Sequence, residues 1–214
     1  MTKILVVDDH EMIRKGLRNV IEAREGWTIC GEAVDGRDAV QSALELKPDI
    51  ILMDFAMPNL NGIEATRQIR AALPQTEILV FTMHDSGQLV REALAAGARG
   101  FVLKSDGCET LIAAIEHLVQ RRPYLTPKAS EMVLTGLCGP GSNAEVPVGS
   151  HLTRREREVL QLVAEGRRTK EIGDLLGISL KTAETHRVRI MRKLDLHSVG
   201  ELVRYAIRHK MVEP

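Results

Sequence analysis

The chain has 214 residues, 44% of them hydrophobic but only 3% aromatic, and its 29 Lys/Arg are balanced by 29 Asp/Glu. That length suits one large domain or two small ones, with cores built from aliphatic side chains. Three scattered cysteines, Cys30, Cys108 and Cys138, without a Cys-x-x-Cys pair, support neither a zinc site nor a disulfide framework. No apolar stretch reaches membrane-spanning length, and the opening MTKILVVDDH is not patterned as a signal peptide. A soluble, cytoplasmic protein with no membrane partner is expected.

The zero net charge hides a split. Residues 1–122 carry 14 Lys/Arg against 18 Asp/Glu, whereas residues 151–214 carry 14 against 9 and four His besides. Only the second half suits a polyanion.

In the first half, short apolar runs at 3–7, 28–33, 49–53, 77–82 and 100–103 read as strands. Between them, Glu11–Ala23, Arg37–Leu46, Gly62–Ala72, Gln88–Ala96 and Glu109–Gln120 carry apolar residues at helical spacing. In the second of these helices, Ala39, Val40, Ala43, Leu44 and Leu46 form the expected stripe. Five strands alternating with five helices predict a parallel sheet covered on both faces. The pattern breaks near Pro123. Residues 125–137 hold one short helix at most, and the Gly/Pro/Ser-rich CGPGSNAEVPVGS (138–150) reads as an interdomain linker. The expected domains are therefore 1–122, a linker over 123–150, and 151–214.

The last 64 residues read as all-helical. Thr153-Arg-Arg-Glu156 is a capping box, in which the threonine hydroxyl and the glutamate satisfy free amides reciprocally. A helix of about a dozen residues follows and ends before Gly166. A short second helix spans Thr169–Leu176 and stops at Gly177. Ser179 caps a third, roughly 180–194, and Ser198 caps a fourth that runs to Lys210. In the fourth, Val199, Leu202, Val203, Ala206 and Ile207 fall on one stripe.

In an alternating parallel sheet, ligands bind at the carboxyl ends of the strands. Asp8 and Asp9 follow the first strand, Asp54 the third, Thr82 the fourth and Lys104 the fifth. Three clustered acids repel one another and suit a hard cation such as Mg2+, which prefers oxygen ligands. A carboxylate beside such a cation can act as nucleophile toward a phosphoryl group. A lysine and a hydroxyl then take up the charge on the transferred oxygens. Taken singly, Asp8-Asp9 also reads as helix capping, Asp54 as an Asx-turn residue, Thr82 as a plain strand end and Lys104 as a surface lysine. All five at successive strand ends favour phosphoryl transfer. His10 and His84 read as exposed loop residues rather than catalytic bases.

The motifs VVDDH, DIILMDFAMPNLNGIEA, VFTMHD and AGARGFVLK give residues 3–120 a close resemblance to the receiver domain of response regulators. The resemblance implies an α/β, flavodoxin-like fold and phosphorylation of Asp54 by a sensor histidine kinase. It implies Mg2+ held by Asp9, Asp54 and the backbone carbonyl of Ala56, with Asp8 assisting through water. Thr82 and Lys104 would hold the phosphoryl group. Phe101 matches the aromatic that turns inward as Thr82 moves, and reads equally as a plain core phenylalanine.

In the basic half, Gly177-Ile178-Ser179 between two helices has the spacing of a helix-turn-helix. At 100° per residue, Ala183, His186, Ile190, Met191 and Leu194 share one face of the second of these, His186 as a packed residue. Lys181, Thr185, Val188 and Arg192 share the other, flanked by Thr182, Glu184 and Arg189. Cations and hydroxyls suit phosphates and base edges, and an aliphatic group suits a thymine methyl.

LTRREREVLQLVAEGRRTKEIGDLLGISLKTAETHRVRIMRKL resembles the DNA-binding domain of LuxR/NarL (FixJ-like) response regulators over residues 151–210. By position the resemblance sets Glu184, Thr185 and Val188 against bases and Lys181, Arg187, Arg189 and Lys193 near phosphates. Arg187 lies toward the buried side of the helical wheel. The resemblance makes the last helix a dimerisation element, with Val199, Leu202, Val203 and Ala206 as its residues. Gly173 and Ala183 stand where the family usually has alanine and valine.

Together these readings describe a two-component transcription regulator and not an enzyme. Its expected partners are a sensor kinase, double-stranded DNA and a second copy of itself on activation, with RNA polymerase a candidate. The charge difference between the halves favours their docking in the resting state. A haloacid-dehalogenase-like phosphohydrolase is the enzymatic rival, but it needs a second acid where Ala56 stands. A receiver that is never phosphorylated, serving only as an interaction module, is the other rival.

Overall fold

The computed structural model describes residues 1–138, 152–209 and 211–212. The expected linker over 138–150, past residue 138, lies outside the described residues, as does Lys210. The described residues divide into two compact units, the first from residues 1–57 and 62–138 and the second chiefly from residues 152–212.

In the first unit, strands β1 (Thr2–Val7), β2 (Trp27–Ala33), β3 (Ile50–Met53), β4 (Glu77–Thr82) and β5 (Gly100–Leu103) alternate with helices. These are α1 (Glu11–Glu22), α2 (Gly36–Leu46), α3 (Gly62–Ala72), α4 (Gly87–Ala96) and α5 (Cys108–Val119). All strand pairings are parallel, in the order β2-β1-β3-β4-β5. Each of Ile50–Met53 and Gly100–Leu103 is buried, as expected for strands covered on both faces. Alternation of side chains sorts the core into two layers. Val6, Leu52, Leu79, Phe81 and Val102 pack with Leu17 and Ile21 of α1 and with Leu111, Ile115 and Leu118 of α5. On the opposite side Val80, Phe101 and Leu103 pack with Leu89, Val90 and Ala93 of α4.

The unit is larger than the 1–122 expected. A sixth strand, β6 (Tyr124–Leu125), pairs in parallel with β5, setting Leu125 opposite Phe101. Helix α6 (Pro127–Cys138) then packs on α4 and adds Ala129, Met132 and Val133 to the layer around Phe101. The two-residue strand has no periodicity to betray it, whereas α6 starts on an ordinary cap: the Thr126 hydroxyl accepts from the Ala129 amide at 3.2 Å, with Pro127 at the first helical position. In α2, Ala39 and Ala43 are buried as expected, but Leu44 is 45% exposed, because it lies well off their line on the helix.

The second unit comprises α7 (Arg154–Ala164), α8 (Thr169–Leu176), α9 (Leu180–Lys193) and α10 (Val199–Arg208). The Thr153–Glu156 capping box is formed, and the Ser179 and Ser198 hydroxyls accept the amides of Thr182 and Glu201. Val159, Leu160, Leu162 and Val163 of α7, Ile172 and Leu176 of α8, Ala183 and Ile190 of α9, and Leu202 and Ala206 of α10 form one core.

That core corrects the dimerisation residues. Leu202 and Ala206 are fully buried within their own unit and are not available to a second copy. The apolar stripe of α10 is wide enough to serve two faces, and the half bearing Leu202 and Ala206 covers the core. Val199, 44% exposed, and Val203, half-buried, lie on the outward side. Leu202→Ala therefore destabilises the fold of the second unit by about 2–5 kcal/mol, the usual cost of such a cavity. The loss is independent of protein concentration, which chemical denaturation over a hundredfold concentration range measures.

Candidate functional site

The carboxyl ends of the strands bring the expected acids together. The Asp54 amide donates to the Val7 carbonyl at 2.9 Å and the Asp8 amide to the Ala33 carbonyl at 3.1 Å, so sheet hydrogen bonds extend to both residues. Asp8, Asp54 and Thr82 are buried, whereas the Asp9 side chain is one-third exposed. Lys104, at the end of β5, reaches back across the edge. Its Nζ lies 2.6 Å from Asp8 Oδ2 and 2.6 Å from Asp54 Oδ2. The other Asp54 oxygen, Oδ1, accepts the Phe55 amide at 2.6 Å.

Burial pushes the Asp54 carboxyl above its ordinary pKa, and the Lys104 ammonium opposes this. For Lys104, burial works against the charge, but Asp54 and Asp8 outweigh it and hold the ammonium above its ordinary value. The pair is thus a buried ion pair in which the lysine keeps its charge while the desolvation of Asp54 is offset only in part. Asp8, Asp9, His10 and Asp54 each offer a ligand atom, all within 4.8 Å of one another. Three carboxylates among these four donors fit a hard divalent cation.

The remaining expected residues are placed as follows. Thr82 Oγ1 accepts the His84 amide at 3.3 Å. Ala56 is half-buried in the loop after β3. Phe101 is 1% exposed and turned into the layer between α4 and α6. His10 is exposed, as expected, but its Nδ1 lies 2.8 Å from Asp9 Oδ1, a contact that sequence position alone did not signal. The capping reading of Asp8 is met in part, since Asp8 Oδ1 accepts the His10 amide at 2.9 Å. The His84 ring stands edge-on to Phe55, with centroids 5.6 Å apart.

The loop after Asp54 depends on Gly62. Its amide donates to the Phe55 carbonyl at 2.9 Å, and a Cβ there would collide with the Asp54 backbone carbonyl. Backbone cannot yield as a flexible side chain does. Gly62→Ala is expected to lower receiver stability by about 1–3 kcal/mol, in the range of overpacked substitutions, which thermal or urea unfolding measures.

In the second unit, α9 presents Lys181, Thr182, Glu184, Thr185, Val188, Arg189 and Arg192 to solvent. Val188 is 62% exposed. Ala183 and Ile190 are buried on the opposite face, and Arg187 is half-buried, as the helical wheel placed it. Both threonine hydroxyls are engaged. Thr182 Oγ1 is 2.8 Å from the Ser179 hydroxyl, and Thr185 donates to the Lys181 carbonyl at 2.8 Å. Exposed Arg167, Arg168 and Lys170 at the start of α8 extend the basic surface; the run GRRTK carried that signal in the sequence. Gly173 is buried where α8 meets the turn, and a Cβ there would come within 2.9 Å of the Ile178 carbonyl oxygen. The glycine thus lets the turn approach the helix closely.

Lys193 departs from the phosphate-facing position expected of it. Its Nζ is bound at 2.7 Å by Glu156 Oε2, whose side chain is only 3% exposed. The same oxygen accepts the Thr153 amide at 2.7 Å. Burial pushes the Glu156 carboxyl upward, but Lys193 and the Thr153 amide outweigh it and hold the pKa below its usual value. A depressed folded pKa contributes stability above the usual glutamate value, and that stability is lost as pH falls through the depressed one. The urea midpoint of the second unit therefore falls between about pH 5 and pH 2, and Glu156→Gln flattens this part of the profile.

An acidic crevice at the strand ends of a parallel sheet, with a cross-edge lysine, defines a receiver-type phosphoacceptor unit. The helices of the second unit carry a helix-turn-helix with a basic outward face. Comparison with known families agrees for both. The family described as "Response regulator receiver domain" matches residues 4–116, and "Bacterial regulatory proteins, luxR family" matches residues 150–206. The chain is 41% identical to the transcriptional regulatory protein LiaR of Bacillus subtilis (strain 168), over 99% of this chain and all of that one. It is 35% identical to the oxygen regulatory protein NreC of Staphylococcus epidermidis (strain ATCC 12228 / FDA PCI 1200), over 99% of each. Among solved structures, it superposes with a TM-score of 0.62 on RcsB from Salmonella enterica serovar Typhimurium bound to promoter rprA with the phosphomimetic BeF3-. That pair is 26% identical, over 95% of this chain and 97% of the other. The chain belongs to the LuxR/NarL family of two-component response regulators. It joins a receiver to a LuxR-type DNA-binding domain, and its relatives are transcriptional regulators.

Proposed function

We propose that Asp54 is the phosphoacceptor, and that its phosphorylation by a sensor histidine kinase controls sequence-specific binding of double-stranded DNA through α9. The observation that carries this reading is the Lys104 ammonium held between the buried carboxylates of Asp8 and Asp54. In the transfer, an Asp54 carboxylate oxygen attacks the phosphorus of a phosphohistidine. A P–O bond forms, the P–N bond breaks, and the leaving imidazole takes up a proton. Lys104 then moves from the carboxylate to a phosphoryl oxygen, and the Thr82 hydroxyl turns to another.

Asp9, Asp54 and the Ala56 carbonyl would hold Mg2+, with Asp8 beside them. When bound, the ion draws phosphate oxygens into the crevice and offsets their charge. With Ala56 where a phosphohydrolase needs its second acid, Asp54 serves as a regulatory acceptor and not as the nucleophile of a turnover enzyme.

The signal leaves along β5. Thr82 is paired in register with Leu103, and Phe101 lies under α6, so movement at the crevice alters the bed on which α6 rests. That helix leads into the DNA-binding unit, so α4, β5 and α6 together form the output face. The domains are read as 1–122 and 151–214 joined by 123–150, with β6 and α6 as the receiver-bound part of that connection.

On DNA, Glu184, Thr185 and Val188 meet bases, and Lys181, Thr182, Arg187, Arg189 and Arg192 meet phosphates or flank them. A homodimer engages two half-sites. Its pairing surface is the outward side of α10, with Val199 and Val203. No helix among the described residues is long and apolar enough to cross a membrane, and a DNA target favours the cytoplasm. RNA polymerase bound nearby is the partner such a regulator would address.

Incubation with magnesium and acetyl phosphate, beside an Asp54→Ala control, tests the reading by intact mass and size together. One phosphoryl adduct, absent from the control, with a shift toward dimer is expected. An adduct that persists in Asp54→Ala, or sustained turnover of a phosphate ester, sinks it. An adduct without a size change keeps Asp54 as acceptor and removes phosphorylation-driven dimerisation.

A further inference from the structure

The first turn of α7 carries two consecutive residues that reach the two helices of the helix-turn-helix. Arg155 donates through Nη2 to the carbonyl of Leu176, the last residue of α8. Its other terminal nitrogen, Nη1, donates to Glu158 at 2.7 Å, which braces the guanidinium. Glu156 binds Lys193, the last residue of α9, and closes the capping box of its own helix through Thr153. α8 and α9 are thus each held at the C-terminal end by a charged group from one turn.

We propose that Glu156 and Lys193 are positioning residues for DNA recognition: the pair sets the angle at which α9 presents its outward face, and Lys193 makes no phosphate contact. This rests on the proposed reading of α9 as the DNA-facing helix and refines it.

Three features support the assignment. Glu156 is almost wholly buried, so its charge needs a partner, and Lys193 is the cation that meets it. One Glu156 oxygen serves both Lys193 and the Thr153 amide, which locks the carboxylate against rotation. A cation in the last turn of a helix also complements the helix dipole, so the lysine is stabilised in place by α9 itself. The residues argued to meet bases, Glu184, Thr185 and Val188, lie one to two turns from the α9 N-terminus. A change of tilt at the far end displaces them although nothing is removed from the contact face.

The test uses the full chain and a duplex selected by that chain from random sequence, with a scrambled duplex as control. Lys193→Met and Glu156→Gln are each expected to weaken the selected duplex about tenfold or more, and the scrambled one by less than about threefold. The slope of log affinity against log salt stays at the wild-type value. Lys193→Arg retains the ion pair and restores the affinity.

The opposite results are distinct. A lysine on a phosphate predicts that Lys193→Met lowers the magnitude of the salt slope by about 0.9. It also predicts that Glu156→Gln tightens binding by freeing the ammonium. Either result overturns the proposal, and so does unchanged affinity for the selected duplex. Equal losses on both duplexes, with lowered helix content, reduce the pair to general stability and overturn it as well. If only α9 were misassigned, both variants would leave recognition intact while substitutions elsewhere abolished it, which separates failure of the refinement from failure of the reading beneath it.

Discussion

The Lys104 ammonium between Asp8 and Asp54 is the interaction on which the receiver depends. Two carboxylates are buried at the ends of adjacent strands, with Asp9 partly exposed beside them. Left alone, that concentration of charge would open the sheet edge or draw in protons. The lysine answers part of it from β5, two strands away from β3 in the order of the sheet. The arrangement leaves net negative charge, and that residue of charge is what suits the crevice to a divalent cation and then to a phosphoryl group. A single cross-edge contact thereby offsets part of the cost of burying the acids and ties Asp54 to the strand that carries Phe101.

That coupling gives the β5 edge its importance. Leu103 pairs with Thr82, and Phe101 is roofed by α4 and α6. A packed interior cannot absorb displacement gradually, because its side chains have few alternative rotamers. Under the proposed reading, movement of Lys104 or Thr82 is therefore passed on as movement of a packed layer. The helix resting on that layer is also the one that leads out of the unit.

The second unit follows the same logic with fewer residues. One aliphatic core holds four short helices, and buried charge appears where one helix must be set against another. Glu156 is expensive to bury, and its position between the N-cap of α7 and the end of α9 is the return on that expense. Lys193 illustrates how a basic residue of a helix-turn-helix can be engaged by an acid of its own unit. In sequence it belongs to a run of cations; in the fold it is the partner of a buried acid. Leu202 and Ala206 make the parallel point for apolar residues, since one stripe on α10 contains both core positions and outward ones.

By itself the sequence determined the alternation of five strands and five helices, the caps of the C-terminal helices at Thr153, Ser179 and Ser198, and the convergence of Asp8, Asp9, Asp54, Thr82 and Lys104. These follow from period and chain order: aliphatic runs bounded by helices make a parallel sheet, and a parallel sheet gathers its strand ends. Only the tertiary structure decided which partner each group takes. That Lys104 bridges Asp8 and Asp54, that Glu156 claims Lys193, that β6 and α6 extend the first unit, and that Leu202 faces inward all depend on contacts between segments distant in sequence. Periodicity specifies a face along one element; which neighbour covers that face is settled by packing and by the cost of leaving a buried charge unpaired.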